Sequence, residues 1–302
     1  MSQRVLVIGS GGIGSLYAAL LHKAGWQVDM VARTDHAVLR QHGLKIDSVL
    51  GDLSFKPAHV YANVEEAGPA DWILLAVKIL SETDLAALVA PAMTFSTTLC
   101  LIANGLDIET PLAQAFPNNT LLSCVAFVGT TRIKAGEIKH SAYGNLIVGN
   151  FLSDELESCQ LLADSLNTTG IKVGISQDIQ LERWKKSIWN ASFNPLSVLT
   201  NGADTGRLLG TPEAEALVRA LMAEVIATAT ASGYPLPQDL IEKNIATTRA
   251  MPAYQTSMAV DYLNGSPIEL ESLLGSVVRY ARKHAVPTPH LDTLYQALKI
   301  RQ

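Results

Sequence analysis

The sequence is short of three things, and each shortage excludes something. Cysteine occurs only three times in 302 residues, at Cys100, Cys124 and Cys159, with no CxxC pair and no histidine-rich context. An odd, widely spaced set of this kind is neither a disulfide framework nor a zinc site. The three read as reduced, buried thiols of a cytoplasmic protein with no metal centre. Basic charge is not in surplus either, since 23 Lys and Arg stand against 28 Asp and Glu for a formal net charge of −5. That balance gives no field to hold nucleic acid or an anionic membrane. Long apolar runs are missing as well. Residues 5–21 contain four glycines arranged as a turn, and residues 85–106 are split by Pro91 and the polar patch TFSTT. Neither is expected to cross a membrane, and no targeting segment is expected.

What remains is a chain with 48% hydrophobic and 17% charged residues, long enough for two domains and a large core. Its first half alternates short apolar runs with helical patterns. Residues 4–9, 27–33, 71–78, 97–105, 119–133 and 144–150 read as strands, and 13–25 as a helix closed by Gly25. Continuous apolar strands alternating with helices imply a parallel sheet covered on both faces. From about Asp178 the pattern is helical, with breaks at Pro195, Gly210, 232–238, 264–267 and 286–289. The fold class is therefore α/β: an N-terminal Rossmann-type doubly wound parallel sheet (1–178) followed by an all-helical C-terminal domain (179–302).

Directly after the first strand stands Gly9-Ser10-Gly11-Gly12-Ile13-Gly14, a G-x-G-x-x-G between strand and helix. The first glycine permits the tight turn, the second lets backbone approach a pyrophosphate, and the third allows close helix–strand packing. The helix start then offers N–H groups to the phosphates. NAD sites place an acid at the end of the second strand, but Arg33 stands there, while Asp29 lies mid-strand, too early to reach a ribose. A guanidinium suits a 2′-phosphate, so NADP(H) is the expected cofactor. Lys78, at the end of its strand, is a second candidate charge; for both residues the plain alternative is a solvated strand end. Asn104, in the triplet ANG, suits a ribose hydroxyl or a carboxamide, or is simply an Asn-Gly turn.

One further stretch raises a question. In ERWKKSIWNASFNPLSVLTN, helical spacing puts Lys186, Asn190 and Asn194 on one face, with Trp184, Ile188, Ala191 and Pro195 opposite. A helix apolar around most of its circumference is buried, and a buried, unpaired ammonium is costly. The stripe therefore faces partners, water or a ligand, unless Lys186 is an ordinary surface lysine.

Taken together, GSGGIG, Arg33, AVK with Lys78, ANG with Asn104, WKKSIWNASFNP and SM…D…GSPIELE resemble the ketopantoate reductases over nearly the whole chain. The resemblance implies NADPH-dependent reduction of 2-dehydropantoate to (R)-pantoate, a step toward pantothenate and coenzyme A. It makes Lys186 the catalytic lysine, with Glu269 at the cofactor–substrate boundary. It makes Asn190, Asn194 and Ser257 the substrate-binding residues, with Asp261 a neighbouring carboxylate and Asn201 a candidate for a further asparagine. Where members of the family often read G-R-P-T-E-I-D, this chain reads Gly265-Ser266-Pro267-Ile268-Glu269-Leu270-Glu271, without that arginine and threonine. A reductase of another small 2-keto acid therefore stays open, as does a non-catalytic NADP sensor. The oligomeric state is expected to be a monomer or a homodimer, with no nucleic acid or membrane partner.

Overall fold

The structure, a computed structural model, describes residues 3–301. They fall into two compact units. The first comprises residues up to Lys78, 84–103 and 109–179. The second comprises 79–83, 104–108 and the chain from Gln180 onward.

In the first unit ten strands form one sheet: β1 (Arg4–Ile8), β2 (Gln27–Val31), β3 (Leu44–Ser48), β4 (Leu53–Phe55), β5 (Val60–Tyr61), β6 (Trp72–Leu75), β7 (Thr98–Ile102), β8 (Leu121–Lys134), β9 (Glu137–Asn150) and β10 (Val173–Ile175). Their order is β4-β3-β9-β8-β7-β6-β1-β2-β5, with β10 paired to β9. The helices are α1 (Gly12–Lys23), α2 (His36–His42), α3 (Val64–Ala67), α4 (Leu85–Val89), α5 (Thr110–Ala115) and α6 (Glu157–Asn167). Strand β1 pairs in parallel with β2 on one side and β6 on the other. The chain order reverses at β1, and such a switch point is where doubly wound sheets bind ligands. Val5, Leu6, Val7 and Ile8 are all buried, as are Leu16, Tyr17, Leu20 and Leu21 of α1, which explains why β1 carries no alternating polar face.

The parallel sheet expected from sequence is present, with additions, the short parallel strands β5 and β10 among them. Residues 121–134 and 137–150 are not separate parallel strands but one long antiparallel hairpin. The strands β3 and β4 form a second, short hairpin that the sequence reading missed.

The second unit is helical apart from its loops: α7 (Ile179–Leu199), α8 (Thr205–Leu208), α9 (Pro212–Ala231), α10 (Leu240–Ala250), α11 (Ser257–Leu263), α12 (Ser276–Lys283) and α13 (Pro289–Arg301), with one π-turn at Glu271–Gly275 before α12. Trp184, Ile188, Ala191 and Phe193 of α7 are buried in one apolar cluster with Val218, Leu221 and Val225 of α9 and Leu291 and Leu294 of α13. Each large apolar side chain so buried contributes about 1.5–3 kcal/mol.

The expected break at Pro195 does not occur, because α7 runs through it to Leu199. Proline removes the N–H that would bond the carbonyl four residues back. Hydroxyls bond carbonyls on either side of it: Ser192 Oγ donates to Ile188, Ser197 Oγ to Asn194 and Thr200 Oγ1 to Leu196. Buried Phe193, Leu196 and Val198 hold this segment in the core.

Candidate active site

The glycine loop has the shape its spacing implies. Gly9 adopts a φ of +113°, and a Cβ there would lie 2.4 Å from the Ala76 carbonyl oxygen. A Cβ at Gly14 would lie 2.0 Å from the Gly9 carbonyl oxygen. Both positions thus require glycine for the protein's own packing. Gly11 differs: it is exposed, its φ is an ordinary −71°, and no atom lies within 4 Å of where a Cβ would go. Open space beside Gly11 and a helix start with neither a side-chain cap nor an acid in its first turn suit an approaching diphosphate. Ser10 and Ile13 lie within the same loop and first turn, and the Ser10 carbonyl accepts the buried Ser15 hydroxyl.

Arg33 is exposed two residues past β2, with no hydrogen bond or ion pair to any described residue. Asp29 is fully buried and held by Arg4 and His59, so the mid-strand acid is structural. Lys78 is exposed three residues beyond β6, which ends at Leu75. Sequence reasoning missed Thr130. A Cβ at Gly12 would lie 2.7 Å from its hydroxyl oxygen, so the β8 strand passes beside the start of α1. Nothing local in the sequence announces that approach.

In the second unit Lys186 is half-buried, and its Nζ donates to Asn104 Oδ1 at 2.7 Å. Burial draws its ammonium down to about 7 from the ordinary lysine value; the positive charge of Arg183 adds to this and Glu269 opposes it. Asn104, read as a cofactor contact, turns its side-chain oxygen to the lysine. The next residue, Gly105, has a φ of +122° and leaves no room for a Cβ, which would meet Ser272 at 2.8 Å. The Gly105 carbonyl accepts from Arg183 Nη1 at 3.2 Å, and Leu106 N–H donates to the Ser272 carbonyl at 3.1 Å. Glu269 Oε1 accepts from the Ile79 N–H at 2.8 Å. The neighbouring Lys185 is paired instead with Glu182 at 2.7 Å.

The rest of the stripe is a connected row. Asn190 and Asn194 are buried, and Asn194 Nδ2 donates to the Asn190 carbonyl and Oδ1 at 3.3 and 3.4 Å. Asn194 Oδ1 in turn accepts from Ser257 Oγ and Met258 N–H, each at 3.4 Å. These lengths lie at the weak end of the hydrogen-bond range, and they fix the start of α11 on α7. The buried pair Ser197 and Thr256 does the same at 2.7 Å. Ser257 itself is exposed. Asp261 lies half-buried one turn along α11. Asn201 is not part of the row: it lies beyond the end of α7 at a φ of +59° and its Oδ1 accepts the Tyr262 hydroxyl.

Sequence reasoning also passed over Arg183 and Ser272. Three-residue spacing puts Arg183 next to the Lys186 stripe and was a usable signal, whereas Ser272 carried none. No group of three or more potential metal ligands occurs among the described residues, and none of their helices is long and apolar enough to cross a membrane.

A family model described as ketopantoate reductase PanE/ApbA matches residues 5–153, and its C-terminal counterpart matches residues 178–302. A 2-dehydropantoate 2-reductase of Nostoc sp. is 30% identical over 305 residues, covering 98% of this chain and 94% of the relative. The crystal structure of 2-dehydropantoate 2-reductase from Methylococcus capsulatus aligns with a TM-score of 0.92 and 44% identity, over 98% of this chain and 96% of that one. The ternary structure of D-mandelate dehydrogenase with NADH and anilino(oxo)acetate aligns with a TM-score of 0.88 over 98% of this chain and 97% of that one. At 20% identity it shares the fold alone.

Proposed function

The chain belongs to the ketopantoate reductase family of oxidoreductases, and on that premise we propose that it reduces 2-dehydropantoate to (R)-pantoate with NADPH. The observation that carries this reading is the Lys186–Asn104 contact of 2.7 Å beside the charge of Glu269. A lysine drawn down to about 7 is poised to exchange a proton near neutrality. Residues 1–178 hold the dinucleotide through Gly9–Gly14, with Arg33 on the 2′-phosphate and Lys78 adding positive charge. Residues 179–302 hold the keto acid.

A bound dihydronicotinamide supplies the hydride. The protein's own contribution is to the carbonyl oxygen, where negative charge develops. Lys186 stabilises that charge and delivers the proton. Asn104 and Glu269 hold the lysine in place, a different role for Asn104 from the ribose contact expected of it. A rise of 1.5 Å per residue puts Asn190 about 6 Å and Asn194 about 12 Å along α7 from Lys186. Asn190 is therefore the amide suited to the substrate, and Asn194 acts by holding Ser257, whose exposed hydroxyl binds the carboxylate. The protein acts in the cytoplasm, as its three buried thiols, none of them in a disulfide, suit a reducing compartment.

A second reading is reduction of a different 2-keto acid. It is favoured by Ser266 and Ile268 in the segment before Glu269. Following NADPH absorbance with 2-dehydropantoate and a panel of 2-keto acids separates the two. Turnover of 2-dehydropantoate well above the panel supports the first reading, and turnover of another acid supports the second. Binding of NADPH with no turnover of any member leaves a sensor and overturns both.

A further inference from the structure

Arg183 is buried to 3% exposure on α7, a place where a guanidinium survives only with partners. One partner is the carbonyl of Gly105, 3.2 Å from Nη1. That carbonyl belongs to the residue after Asn104, whose side-chain oxygen meets Lys186 Nζ. The opposite side of the same segment is fixed by the Leu106 N–H on the Ser272 carbonyl. The segment 104–106 is thus held at two points, and Asn104 is aimed by both. Three residues apart on one helix, Arg183 and Lys186 are also neighbours.

We propose that Arg183 is a positioning residue for Lys186, acting through the Asn104–Gly105 segment and through its own fixed positive charge. This deepens, and rests on, the reading of Lys186 as the proton donor. The charged groups facing Lys186 are Arg183 from α7 and Glu269 from the segment before the π-turn, while Asn104 offers a neutral acceptor. The two charges act in opposite senses, as the lowering of the lysine to about 7 reflects. With a neutral residue in place of Arg183, Glu269 is left to favour the ammonium.

The test reads Lys186 directly in the ligand-free protein, by the pH dependence of its acetylation with acetic anhydride, followed by peptide mass spectrometry. Arg183→Gln is expected to raise the midpoint by about one pH unit, the usual size of a near-charge effect. Arg183→Lys, which keeps the charge, is expected to leave the midpoint near that of the parent. Asn104→Ala leaves Arg183 in place and removes an acceptor of the charged form, so it is expected to lower the midpoint. An unmoved midpoint in Arg183→Gln overturns the electrostatic role, and one unmoved in Asn104→Ala overturns the route through that segment. Either of these variants decides its part even where another fails to fold, as judged by thermal unfolding. Since the readout needs no turnover, midpoints that move in a protein that reduces no keto acid keep this inference and remove the functional reading.

Discussion

The glycine loop and the α7 stripe are built in opposite ways. Residues 9–14 make their site from backbone: Gly9 and Gly14 are shaped by contacts with Ala76 and with each other, and the open position at Gly11 follows from local geometry. The stripe makes its site from side chains brought together from distant sequence, since Lys186 meets Asn104 across 82 residues. A backbone site tolerates no change in its own spacing but is recognisable on sight. A side-chain site tolerates sequence drift around it but depends on the fold to set its chemistry.

The largest expected effect breaks the second kind of site. Lys186→Ala should lower kcat by roughly 10²–10⁴-fold, the usual worth of a general acid, with NADPH affinity little changed. Lys185→Ala removes only the pair with Glu182 and should run near full speed in the same steady-state assay. The pH profile sharpens the point. With the protonated lysine as the proposed acid, kcat/KM for reduction should fall as pH rises through a midpoint near 7. A bound substrate carboxylate favours the ammonium and should move the kcat midpoint upward. A profile rising through this range would contradict the assignment.

Next comes Arg33→Ala. A charge-assisted bond to a phosphate contributes about 1.5–3 kcal/mol, so NADPH binding should weaken by roughly ten- to a hundredfold while NADH binding holds. Fluorescence titration of both cofactors measures this, and equal losses would remove the guanidinium from the phosphate.

The loop itself offers a contrast within one motif. Gly11→Ala should leave folding stability within about 0.5 kcal/mol, because its Cβ meets nothing, yet weaken NADPH binding about tenfold. Gly14→Ala should destabilise the protein by about 1–3 kcal/mol with or without ligand. Thermal unfolding with and without NADPH separates the two, and a Gly11→Ala protein with full affinity would show that no diphosphate approaches there.

The smallest effect is expected at Ser257→Ala, where a neutral hydroxyl contributes about 0.5–1.5 kcal/mol. The KM for the keto acid should rise roughly two- to tenfold, with NADPH affinity unchanged. A loss confined to the cofactor would place Ser257 elsewhere in the mechanism.

Some elements were legible because their cause is local. Strands β1, β6 and β7 are covered on both faces, so their apolar runs stand out, and the G-x-G-x-x-G spacing is itself the turn. Others were not. Strand β3 has a buried-exposed alternation of only five residues and β4 only three, and β3 is a strand through its pairing with β4 and β9. The hairpin of β8 and β9 looked like two parallel strands because both partners are apolar where they cross the core. At Pro195 a local rule predicted a break, and burial of the surrounding helix prevailed.

The sequence by itself determined the alternation of strand and helix, the glycine loop and the polar stripe on α7, because periodicity and glycine stereochemistry act over a few residues. Only the tertiary structure decided which groups touch the lysine. It turned Asn104 toward Lys186, buried Arg183 against the Gly105 carbonyl, and clamped Glu269 on the Ile79 N–H. The proton affinity of Lys186 follows from that decision. It depends on desolvation and on the charge of Glu269, far away in the chain, as well as on the nearby Arg183, and of these only the placing of Arg183 is encoded by spacing along the sequence.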